Sequence, residues 1–124
     1  MKRREAWLVM MLWSIAGVGA AHAASAGTQR RCGWFDNPTP GDAWLHDRDG
    51  EWTIGIQGGH QASGDWPAFS DAQWVVTNSG QHGHGCACLT VQASARTHEV
   101  TRIVSARAQA LSVCRSDRAL HEPR

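Results

Sequence analysis

The sequence predicts a mainly β fold: a small antiparallel sheet or partly rolled barrel of about four to six strands, disulfide-stapled, with a short C-terminal helical turn. Three observations predict it. Short apolar segments alternate with polar residues at the two-residue period of strands. Glycine-rich turn signals such as Asp49-Gly50 and Asn78-Ser79-Gly80 separate those segments. No long amphipathic helix, heptad or repeat is present. At 124 residues the chain makes one small domain.

The elements follow in order. Lys2, Arg3 and Arg4 precede an apolar stretch from Ala6 to Ala21, and Ala21-His22-Ala23 supplies the small residues of a cleavage site. This is the pattern of a secretory signal peptide over 1–23, too short for a comfortable membrane span. Residues 24–31 read as a flexible N-terminal segment, and 32–120 as one disulfide-stabilised domain. Cys32 to Gly41 holds two prolines and two glycines and reads as irregular chain pinned by Trp34 and Phe35. Ala43 to His46 reads as a short strand. Asp47 to Gly50 reads as a turn with solvated acids. From Glu51 to Gln57, Trp52, Ile54 and Ile56 share one face of a half-buried strand. Gly58 to Pro67 is a loop by composition. Gln73 to Thr77, Gly85 to Ala93 and Glu99 to Ala106 are further strands, and Gln109 to Leu120 carries the helical turn.

All four cysteines lie after the signal, which in a small exported chain reads as two disulfides. Four cysteines allow three pairings. Cys86 with Cys88 is the poorest, because residues two apart on a strand sit near the distance limit for a bridge. Pairing Ala93 with Glu99 puts Cys86 opposite Ala106, where the chain leaves toward Cys114. This favours Cys86–Cys114 with Cys32–Cys88 over the remaining alternative.

Composition excludes several functions. The formal charge is +1, without the basic excess of a nucleic-acid binder. Lys2 is the only lysine, all three methionines fall within the signal, and tyrosine is absent. Lysine Schiff bases, lysine phosphate clamps and tyrosine acids are therefore excluded from the exported part. No cofactor motif is present, and nothing marks a membrane anchor once the signal is cut.

Three sites have chemical content. The loop from Gly58 to Trp66 exceeds what a hairpin needs and gathers His60, Gln61, Asp65 and Trp66 as candidate ligand-binding residues. His82 and His84 are candidate metal ligands; on a strand they share a face with Cys86 and Cys88, although a flat run does not converge as a tetrahedral metal requires. The tryptophans offer a stacking platform for carbohydrate. Asp47, Asp49 and Glu51 have calcium-loop spacing, but Gly50 sits at the wrong position for one.

Cys32-Gly33-Trp34, Asn37-Pro38-Thr39-Pro40, Asp49-Gly50-Glu51-Trp52, Gly64-Asp65-Trp66-Pro67, Gly85-Cys86-Ala87-Cys88 and Cys114-Arg115 together resemble the domain-of-unknown-function family 4087. The resemblance runs from Cys32 to about Leu120 and implies a small exported bacterial protein with no assigned activity. It also implies aromatic residues near His82 and His84, where this chain departs from the pattern. The reading of function is a non-catalytic binding or inhibitory module of the envelope, partnered by an envelope protein or a glycan. Two alternatives stand beside it. One is a small periplasmic metal-handling protein using His82, His84 and His60; the other is a small hydrolase using His60 and Asp65.

Overall fold

The computed structural model describes Gly17 and residues 27–124. The segment expected to be a signal peptide, Gly17 apart, and its expected cleavage site lie outside the described residues. Six strands make one antiparallel sheet: β1 (Gln29–Asn37), β2 (Ala43–Asp47), β3 (Gly50–Gly55), β4 (Trp74–Asn78), β5 (His82–Ala93) and β6 (Val100–Gln109). A 3-10 turn (Asp71–Gln73) leads into β4, and a single short helix, α1 (Leu111–Arg115), follows β6. The strand order is β3-β2-β1-β5-β4, with β6 also paired to β5. The predicted fold class is the observed one.

β5 organises the sheet. All of β1 runs along one of its edges, from Gln29 opposite Val91 to Asn37 opposite Gly83. The other edge is shared: β4 pairs with His82 to Gly85, and β6 with Cys86 to Ala93. The sheet then rolls until β3 meets β6. Thr53 N–H donates to the His98 carbonyl (2.8 Å), and Ser63 exchanges backbone bonds with Thr101 and Ile103. The roll encloses the main core of Phe35, Leu45, Trp52, Ile54, Leu89 and Val91. On the outer face α1 and the tail cover a smaller cluster of Trp34, Cys86 and Cys114, flanked by Leu111 and Leu120.

Four sequence expectations need correction. Cys32 to Asn37 is regular strand, because both prolines fall after it. Gly33 is required there: a Cβ would lie 2.1 Å from the His46 carbonyl oxygen on β2. Gln29 to Arg31 also belong to β1 and are tied down by side-chain bonds, Arg31 to Asp47 and Asp49 (both 2.9 Å) and to Gln29. Asp47 is a buried acid, not a solvated one; it also accepts from Trp52 Nε1 (3.0 Å). The β5–β6 register differs as well. Ala93 faces Val100, two bulges follow, and Cys86 faces Gln109. The disulfides are nevertheless Cys32–Cys88 and Cys86–Cys114, with no free cysteine.

Candidate functional site

A cleft of about 320 Å³ opens where β1, β4 and the chain before the 3-10 turn meet. Its walls are apolar: Phe35, Trp66, Pro67, Phe69 and Trp74. Phe35 sits edge-on to Trp66, with centroids 5.5 Å apart and planes at 63°. Phe69 lies tilted against Phe35 at 5.9 Å and against Trp74 at 4.8 Å. Such offset pairs fix ring orientation through their quadrupoles. Asn37, Ser70, Asp71 and Gln81 supply the polar part of the lining.

Local sequence builds this wall. Pro67 and the Ser70–Gln73 turn, where the Gln73 side chain accepts from Ser70 N–H (3.1 Å), fold residues 66–73 over the end of the core. Gly85 makes room for this wall. A Cβ at Gly85 would lie 2.5 Å from the Phe69 ring, so the glycine lets Phe69 seat on β5. Trp74 Nε1 donates to the Gln81 carbonyl (2.9 Å) across the β4–β5 turn, which holds that ring at the rim. Trp66, in contrast, spends its indole N–H on no acceptor among the described residues and is only half-buried.

The predicted loop residues divide into two groups. Trp66 lines the cleft, while His60 and Gln61 work on the fold. His60 Nε2 bonds the Val100 carbonyl (2.6 Å) and Nδ1 stands 3.5 Å from the Glu99 carboxylate. Gln61 Nε2 donates to the Gly41 (2.7 Å) and Ile56 (3.1 Å) carbonyls. Asp65 is exposed and lines a neighbouring open groove with Arg102. The carboxylate beside His60 is therefore that of Glu99, not Asp65.

His82 and His84 do share the outer face of β5. His82 Nδ1 bonds the Ser79 carbonyl (2.8 Å) in the preceding turn. His84 is buried at 2% exposure, edge-on to Trp34 at 5.2 Å and 89°. Neither of its ring nitrogens has a hydrogen-bond partner among the described residues. Burial pushes its pKa below the usual histidine range, while Glu122, 3.9 Å away, and Asp36 pull the other way. His60 sits by Val100 at the far end of β5, about 30 Å along the strand from His84. The structure thus does not bring the three histidines together. Among the described residues no group of three or more His, Cys, Asp or Glu side chains is placed to hold a metal ion.

Sequence reasoning missed the cleft. Phe69 falls in a stretch of no clear period, and Phe35 reads there as the anchor of an irregular segment. The available signal was the crowding of Trp66-Pro67, Phe69 and Trp74 beside the small residues of Gly83 and Gly85.

A family model described as a protein of unknown function, DUF4087, matches residues 26–121. The chain belongs to the DUF4087 family. No curated protein and no solved structure matches it. The DUF4087 match spans every strand, both disulfides and the whole cleft.

Proposed function

We propose that the protein is a non-catalytic binding module exported to the envelope or beyond, and that its aromatic cleft holds a glycan. The observation that carries this reading is the cleft itself. Flat rings offer C–H stacking surface to a sugar, and the half-buried Trp66 lines the cleft together with the polar residues Asp71, Asn37 and Gln81. Export is supported by the signal pattern of residues 1–23 and by two disulfides, and no helix among the described residues is long and apolar enough to cross a membrane. A non-catalytic role is supported by His60, whose ring bonds a backbone carbonyl instead of standing beside a hydroxyl nucleophile.

The test is binding of soluble N-acetylglucosamine oligosaccharides, read by tryptophan fluorescence. Trp66→Ala and Phe69→Ala should each weaken binding by about tenfold, a stacking contribution of roughly 1–3 kcal/mol. Trp44→Ala, outside the cleft, should not. Undiminished binding by a folded Trp66→Ala, Phe69→Ala double variant would sink the assignment of the site, and no saturable response from the native chain would remove the glycan.

A further inference from the structure

A second cavity, of about 280 Å³, lies on the outer face over β1, β5 and β6. Register sets its floor. Cys88 is flanked by Cys32 on β1 and Arg107 on β6; two residues along, Thr90 is flanked by Arg30 and Ser105. Strand alternation turns these side chains to the same face. Arg30 and Arg107 thus stand on either side of one short strip of β5 and line one cavity together with the Thr90 and Ser105 hydroxyls.

The charges there are unbalanced. Arg31, Arg48 and Arg115 each have a carboxylate within 3.7 Å. Arg30 and Arg107 have none among the described residues, and the Thr90 and Ser105 hydroxyls make no hydrogen bond there. The acids nearest this end of β1 are engaged, Asp47 and Asp49 with Arg31 and Asp117 with Arg48. Holding two guanidinium groups over one strip is unfavourable without a counter-charge. The Cys32–Cys88 bridge joins β1 to β5 at this point and resists their splaying apart.

We propose that this cavity is an oxyanion site that takes a phosphate or sulfate group. Two guanidinium forks present planar donor pairs, and the hydroxyls add single donors, the set that a tetrahedral oxyanion satisfies. The site is separate from the aromatic cleft and stands without it.

The test titrates the isotope-labelled, disulfide-bonded chain with inorganic phosphate at fixed ionic strength, read by amide and arginine side-chain resonances. Sedimentation with phosphatidylglycerol vesicles, against phosphatidylcholine vesicles, runs beside it. Saturable shifts centred on Arg30, Thr90, Ser105 and Arg107 are expected. Arg30→Gln with Arg107→Gln should weaken binding by at least about tenfold, while Arg102→Gln leaves it unchanged. Saturation by free phosphate identifies a soluble oxyanion, and arginine-dependent sedimentation with the anionic vesicles alone identifies a lipid headgroup; each supports the site. All four residues are on a strand surface, and an unchanged melting temperature confirms that the double variant folds. Binding that survives in that variant, shifts spread evenly over the surface arginines, or no binding in either arm overturns the proposal.

Discussion

His84 shows most directly how one side chain departs from ordinary chemistry. Its burial disfavours the charged form and lowers its pKa, and both ring nitrogens lack hydrogen-bond partners among the described residues. Its folded pKa is lowered relative to the unfolded chain. The unfolded state therefore takes up a proton first, and stability falls as pH drops through about 6.5 and below. Denaturant titrations at a series of pH values should show His84→Phe losing less stability than the native chain over that range. At neutral pH the substitution should be neutral to stabilising, since it replaces two unsatisfied nitrogens with a ring of similar shape. An identical acid dependence in both chains would show that His84 is not the group responsible.

At the scale of elements, the strands were legible in the sequence wherever alternation was carried by large side chains. Trp52 and Ile54 gave β3, Leu89 and Val91 gave the second half of β5, and Val100 and Ile103 gave β6. The first half of β5 was obscured because Gly83 and Gly85 fill their inward positions without side chains. The space is taken by the β4 backbone and by Phe69, which come from elsewhere in the chain. β1 was hidden for the same reason at Gly33. The disulfide pairing was legible from hairpin direction, although the two bulges that set the true register leave no mark in composition. The long loop after β3 drew notice for its polar residues, and most of them prove to be ties. Gly64 lies within this loop at φ +94°, and a Cβ there would come 2.0 Å from the Ile103 carbonyl oxygen. Gly64→Ala should therefore cost about 1–3 kcal/mol in chemical denaturation, through overpacking and an unfavourable φ. A loss no larger than that of Gly58→Ala, which has a similar φ but open space around it, would show that the close approach is not what matters.

Over the whole molecule, stability depends on a small core and two cross-links. The main cluster is enclosed on one side of the sheet only, and the outer cluster depends on the tail being held by Cys114. Each bridge closes a loop of tens of residues, 56 and 28 apart in sequence, and contributes about 3–4 kcal/mol on a loop-entropy basis. Reduction should lower the melting temperature sharply. Cys114→Ala with Cys86→Ala should release the tail while leaving β1 paired to β5, visible as fast amide exchange confined to residues after Gln109. Exchange spreading evenly through the sheet would instead place both bridges in one cooperative unit.

The two bridges also interlock along the chain, because Cys86 lies inside the segment closed by Cys32 and Cys88. A chain threaded out from its N-terminus presents Cys86 before Cys88. Thiols joined in order of arrival would link Cys32 to Cys86, one partner too early. Only the alignment of β1 on β5, which sets Cys32 directly opposite Cys88, tells the two apart. Faithful oxidation must therefore wait for backbone pairing, and air oxidation in strong denaturant should yield scrambled species that the same reaction in folding buffer avoids.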